Sequence, residues 1–131
     1  MAITASDIIK RALRICRVAD SSAALDENDA ADALATLNAM LAEWHEAEIG
    51  LPDYSFSNLT DVLASDAADR EAIAYELAAR VAPEYGVSLS REAAGVGLAS
   101  ISRLRLRYFQ PGRSDFSELP RKAYCYNIET D

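Results

Sequence analysis

The sequence predicts an all-α fold, a small four-helix bundle followed by an extended C-terminal arm. Half of the 131 residues are hydrophobic, and the chain has only 5 Gly and 4 Pro, a composition that favours helices. Apolar residues recur with a helical period in four segments. A chain of this length can bury one modest core. We expect residues 1–108 to form the helical domain and residues 109–131 to form the arm.

The first predicted helix spans about residues 6–18 and begins at Ser6, a residue type that caps helix N-termini. One of its faces is apolar and the other is basic. The basic face carries Lys10, Arg14 and Arg17. Such a face is ordinarily solvated. Pairing with an acidic neighbour is the alternative, because residues 20–48 hold eight Asp or Glu and no Lys or Arg.

The second predicted helix begins at Asp26 or Asn28 and runs to about residue 48, where Gly50 and Pro52 follow. Its predicted core residues have the spacing of one buried helix face. They are Leu34, Leu37, Leu41 and Trp44. The connection that follows, to about residue 66, is long for a compact bundle. We expect it either to be partly disordered or to contact a neighbouring subunit.

The third predicted helix begins at Asp66 or Asp69, and Pro83 kinks or ends it. Its predicted core residues, with the aromatic residue that follows, are Leu77, Val81 and Tyr85. The fourth helix opens at Ser90 and runs to about Tyr108. Its predicted apolar stripe is Ala94, Leu98, Ile101 and Leu104.

The arm combines helix-breaking residues with aromatic ones. Pro111, Gly112 and Pro120 prevent a regular helix, yet four of the chain's aromatic residues lie here. Because disordered tails are usually poor in aromatic residues, we expect the arm to dock. Docking on a partner and folding back on its own bundle are both open. Its predicted contact residues are Phe109, Phe116, Leu119, Tyr124, Tyr126 and Ile128.

The net charge of −8 is unevenly distributed, since residues 1–102 carry −10 and residues 103–131 carry +2. An acidic body disfavours tight, sequence-reading DNA binding. It suits a surface along which DNA passes without binding, because negative side chains repel the phosphates. Arg103, Arg105 and Arg107 complement the dipole at the end of the fourth helix, and a contact with DNA or a partner is the alternative.

Residues that could carry chemistry are few. The single histidine, His45, lies on an acidic helix, a setting that favours a surface or interface residue over a base or ligand. We find no glycine-rich phosphate loop, nucleophile elbow or zinc-type cysteine pair. The two cysteines, Cys16 and Cys125, cannot make a disulfide framework. We therefore expect no enzyme activity and no cofactor or metal. No apolar run approaches the length of a membrane span, so we expect no membrane partner.

Two blocks in order carry a resemblance to a known family: MLAEW at residues 40–44 and AYELAARVAPEYG at residues 74–86. Over about residues 5–108 the chain resembles the tail accessory factors of tailed bacteriophages, the head-to-tail adaptors that seal the portal after DNA packaging. The resemblance implies an α-helical bundle without a cofactor. It also implies a virion protein of the head–tail junction, assembled in the host cytoplasm.

The resemblance implies four partners: the portal protein, neighbouring copies in a ring of twelve, a downstream tail or nozzle protein, and passing double-stranded DNA without sequence specificity. The arm would bind the portal. Because a closed ring joins two different faces of the chain, we expect Lys10, Arg14 and Arg17 of one copy to meet Asp29 and Asp32 of the next. Two other hypotheses are a small helical DNA-packaging or DNA-binding subunit and a virion-associated cell-wall hydrolase. The acidic net charge disfavours the DNA-binding subunit. The lack of a defined pair of catalytic acid and base residues disfavours the hydrolase.

Overall fold

The structure is a computed structural model that describes residues 2–18 and 24–109, without the side chains of residues 47 and 48. This part of the chain contains four α-helices and no strand, which confirms the predicted all-α fold class. The helices are α1 (Ala5–Ile15), α2 (Glu27–Glu43), α3 (Ala67–Val81) and α4 (Arg91–Tyr108). Helix α3 packs against the other three helices and therefore lies at the centre of the fold.

Helix α1 is capped by Thr4, so the prediction of Ser6 as its N-cap was wrong. The Thr4 hydroxyl oxygen accepts a hydrogen bond from the Asp7 backbone N–H (3.3 Å). In return the Asp7 carboxylate accepts one from the Thr4 backbone N–H (3.0 Å). These two bonds form a capping box. Hydrogen bonds from the Thr4 backbone and side chain lower the pKa of the Asp7 carboxyl, because they favour its ionised form.

The last turns of the second and third predicted helices depart from α-helical geometry. Trp44–Glu48 is a π-helical turn that continues α2. The ring nitrogen Nδ1 of His45 lies 2.6 Å from the carbonyl oxygen of Leu51 and donates a hydrogen bond to it. This bond connects the turn to the chain that follows. Ala82–Tyr85 is a 3₁₀ turn that continues α3 and ends at Gly86, whose φ of 67° is left-handed.

The core lies where α1, α2 and α3 meet, and it extends to α4 through Leu104. Most of the predicted core residues of the second and third helices are at most 2% exposed. These are Leu37, Leu41, Trp44, Leu77 and Val81. Leu34 and Tyr85 are only partly buried and pack against the edge of the core.

The connection between α2 and α3 packs against its own chain. Asn38 on α2 pairs with the backbone of Phe56 through two hydrogen bonds of 2.9 Å, one donated by each residue. Four apolar side chains of the connection are buried in the core: Ile49, Leu51, Phe56 and Leu63. An isolated bridge between Thr4 and Val62 also joins the connection to the start of α1. The length of the connection is thus accounted for by packing within the subunit.

Helix α4 presents a different face to the bundle from the predicted one. Gly97 and Leu104 are buried, whereas Ala94 is exposed and Leu98 is 69% exposed. A Cβ atom added at Gly97 would lie 3.4 Å from Cβ of Tyr75 on α3. Because Gly97 has no side chain, α4 can approach α3 closely on that side, and Leu98 then points outwards. The predicted stripe was therefore right at Leu104 and wrong at Ala94 and Leu98.

Candidate functional site

A basic cleft lies between α1 and α3. It encloses about 280 Å³ and is lined by Asp7, Lys10, Arg11, Arg14, Arg70 and Glu71. Arg11 pairs with Glu71 across it, with Nη2 3.4 Å from Oε2. Since four cationic side chains face two carboxylates, the cleft has an excess of positive charge. The sequence indicated a basic face on α1 but gave no sign that Arg70 of α3 would join it.

A buried carboxylate anchors the C-terminal end of α4. Asp69 is 1% exposed and is the one buried charged residue in the described part of the chain. The Tyr108 hydroxyl donates to its Oδ2 (2.6 Å) and Arg107 Nη1 donates to its Oδ1 (3.0 Å). Arg107 also pairs with the exposed Asp66. We call Asp69, Arg107 and Tyr108 the α4 anchor.

The α4 anchor fixes the point from which residues 110–131 leave the bundle. Asp69 lies in the first turn of α3, where the helix dipole favours a negative charge. Arg107 and Tyr108 are the last two residues of α4. The ion pair and the hydrogen bonds therefore hold the end of α4 against the start of α3. The sequence indicated for Arg107 a role in complementing the helix dipole or in binding DNA or a partner. Its ion pairs in the structure are instead with Asp66 and Asp69 of the same chain.

The α4 anchor predicts a loss of stability at alkaline pH. Burial, followed by the hydrogen bond to Asp69, raises the pKa of Tyr108 from 10 to about 12. The folded state thus favours the neutral phenol, and the resulting stabilisation is complete below pH 10 and lost as the pH rises through 12. We expect Tyr108→Phe to reduce the fall in unfolding free energy between pH 9 and 12. Urea titrations of both proteins across this range test it, and identical slopes would contradict it.

Three large apolar side chains are exposed on the outer side of α4, beside the exposed Ser102 and Arg105. Leu98, Leu106 and Phe109 are 69%, 78% and 71% exposed, and their spacing places them within one arc of the helix. A neighbouring groove of about 250 Å³ runs between α4 and α3. Its apolar lining includes Tyr75, Ala79, Leu89, Ala94, Leu98 and Ile101. We call the three exposed side chains and this groove the α4 apolar face.

Other features of the described residues are structural. Within residues 2–18 and 24–109, no group of three or more His, Cys, Asp or Glu could hold a metal ion. No helix in the same ranges has the length and apolar character to cross a membrane. The buried Cys16 thiol donates to the Ala78 carbonyl (3.2 Å), and burial raises its pKa. A raised pKa disfavours the reactive thiolate.

A match to a known family covers every residue that the structure describes. Residues 1–109 match the sequence model of the family described as P22 tail accessory factor. The chain belongs to this family. A search of curated protein sequences finds no match. As a phage tail accessory factor, the chain has a structural role in a phage virion and interacts with other virion proteins, and the resemblance stated from its sequence is confirmed.

The structure places the predicted interface residues in different surroundings. Lys10 and Arg14 share the basic cleft, whereas Arg17 lies exposed beyond the end of α1. Asp32 is exposed on α2. Asp29 is partly buried, and its carboxylate lies close to the side chain of Tyr85. Burial and the nearby carboxylate of Asp29 raise the pKa of that tyrosine. Asp32 is therefore better placed than Asp29 for a neighbouring subunit.

The predicted arm falls mostly outside the described residues. Phe109 alone is described, as the exposed residue that caps α4. The others lie beyond it: Phe116, Leu119, Tyr124, Tyr126 and Ile128. The sequence indicated no functional role for Arg70, for Asp69 beyond a possible helix start, or for the exposed apolar side chains of α4. No local pattern marks the first two, since their partners lie on other helices.

Proposed function

We propose that this tail accessory factor is a head-to-tail adaptor. Twelve copies, the number that the family resemblance implies, would form a ring beneath the portal at the head–tail junction. The ring would extend the channel for double-stranded DNA, retain the packaged genome and provide a platform for the next tail or nozzle protein. Membership of the family over residues 1–109 supports a place in the virion. The pairing of a basic cleft with an exposed acidic helix supports the ring.

Ring closure by identical chains requires two different surfaces that complement each other. The basic cleft supplies one of them, with Lys10 exposed and Arg70 partly exposed. The exposed side of α2 supplies the other, with Glu27 and Asp32. These two surfaces share no residue, and their charges are opposite. One copy can therefore present its α2 to the cleft of the next. Electrostatic complementarity of this kind sets the register of an interface.

A charge exchange tests this interface. Lys10→Glu should weaken ring formation on the portal by about tenfold, because it places like charges across the contact. Asp32→Lys should do the same, and the double variant should recover much of the lost binding. Arg91→Glu, an equal change of charge on exposed α4, is the control. Ring assembly of each variant on portal would be measured by sedimentation.

The DNA-binding alternative is favoured by one observation, the excess positive charge of the basic cleft. Phosphates are the natural partners of such a surface. The same variants separate the two functions. If Lys10→Glu weakens attachment and Asp32→Lys in the same chain does not restore it, the cleft does not bind α2 of a neighbour. Loss of DNA binding in Lys10→Glu would then favour the packaging subunit.

We also propose that residues 109–131 bind the portal. The α4 anchor holds the root of this segment at a fixed place on the bundle, through Asp69 and Tyr108. Phe109, 71% exposed, is the first of its aromatic residues. Aromatic side chains are common at the energetic centres of interfaces. Twelve such segments on one ring would act together, so each contact can be weak while the assembly is stable.

A further inference from the structure

The α4 apolar face exposes three large apolar side chains to water. Leu98, Leu106 and Phe109 are each more than two-thirds exposed. The adjacent groove is lined chiefly by apolar side chains. An apolar groove bordered by an exposed leucine such as Leu98 is the kind of surface that marks a docking site. The face lies on the helix from which the remaining 22 residues of the chain emerge.

Those residues have the composition and the length to cover it. The Pro-Gly pair at positions 111 and 112 is a turn signal directly after α4. Phe116 and Tyr124 are eight residues apart, so at most about 29 Å of extended chain separates them. Leu106 and Ala94, near the two ends of the face, lie about 18 Å apart along the helix. One segment can therefore place an aromatic side chain at each end of the face.

We propose that the α4 apolar face is the docking site for residues 113–128 of the same chain in the free subunit. After the turn the segment returns along α4, with Phe116 against Leu106 and with Tyr124 and Tyr126 in the groove beside Ala94. Docking buries the exposed leucines and lets the chain remain monomeric before assembly. The inference concerns the free chain and does not depend on the proposed portal contact, which would take the segment away from α4.

Cys125 provides a native probe of this contact, because it lies between Tyr124 and Tyr126. Ala94→Cys places a thiol in the groove at an exposed position. Val96→Cys is the matched control, since Val96 is 47% exposed two residues away and points to the other side of α4. The thiols at positions 94 and 96 lie at similar distances along α4 from Phe109, where the segment begins. Cys16 is buried and interferes with neither.

The full chain carrying each substitution would be oxidised at low concentration without portal, and its disulfides identified by mass spectrometry. We expect the 94–125 disulfide to form within monomers at least tenfold faster than the 96–125 disulfide. Adding Tyr124→Ser and Tyr126→Ser should remove the preference. Equal rates, or no disulfide at either site, would overturn the proposal. Disulfides between two chains would overturn it as well, because the face would then take the segment of a second copy.

Discussion

Replacing Asp69 with alanine should lower the free energy of unfolding by about 3 kcal/mol. Asp69 is buried and accepts hydrogen bonds from Tyr108 and Arg107. Removing it leaves the hydroxyl and the guanidinium without their shared partner. The side chain of Arg107 is 38% exposed, so water compensates it in part. This partial hydration places the expected cost at the lower end of the range for a broken buried pair.

Asp66→Ala is the matched control, because it removes the other carboxylate that binds Arg107. The Asp66 side chain is 72% exposed, and exposed ion pairs contribute at most about 1 kcal/mol. Urea unfolding followed by circular dichroism gives both values. Equal, small losses in the two variants would show that the α4 anchor contributes no more to stability than a surface ion pair.

Deleting residues 109–131 should leave the helical bundle folded and abolish stable attachment to the portal. The bundle should persist because the four helices and their connections build a contiguous apolar core within residues 5–104. Attachment should fail because the deletion removes the proposed aromatic contacts. Replacing Tyr124 and Tyr126 together with alanine should reproduce much of the loss. Circular dichroism and thermal melting report the fold, and head-completion assays report attachment.

Two outcomes would contradict this prediction. If the shortened chain unfolds, residues 109–131 belong to the core. If it folds and completes heads normally, the attachment surface lies on the bundle, and the basic cleft or the α4 apolar face becomes the candidate. Arg91→Glu, which leaves the C-terminal segment intact, should behave as the natural chain in both assays.

The helices could be predicted from the sequence because their signals are local. Leu37, Leu41 and Trp44 follow the helical period, and the core of α2 is built on them. The cap of α1 was missed although its signal is also local. Thr4 followed by Asp7 offers two reciprocal bonds, and this outweighs the single bond that Ser6 could provide.

The face of α4 could not be read from periodicity alone. Two stripes compete on this helix: both include Leu104, but one continues through Leu98 and the other through Gly97. The larger side chains favoured the first, but the close approach to Tyr75 selects the second. A sequence pattern records which side chains are apolar. It does not record which face a neighbouring helix can approach.

The α4 anchor and the basic cleft depend on contacts between distant parts of the chain. Tyr108 and Asp69 are 39 positions apart, and Arg70 reaches the cleft of α1 from α3. Such pairs follow from the packing of α3 against α1 and α4. They become predictable only once that packing is known.

The most direct test of the adaptor function is sedimentation of the purified chain, alone and mixed with portal rings of the same phage. We expect the chain alone to be a monomer or small oligomer, since each subunit interface is small and many contacts must act together. With portal we expect a complex containing twelve copies per portal ring, visible as an added ring by cryo-electron microscopy. Failure of the full-length chain to co-sediment with the portal would contradict the adaptor function.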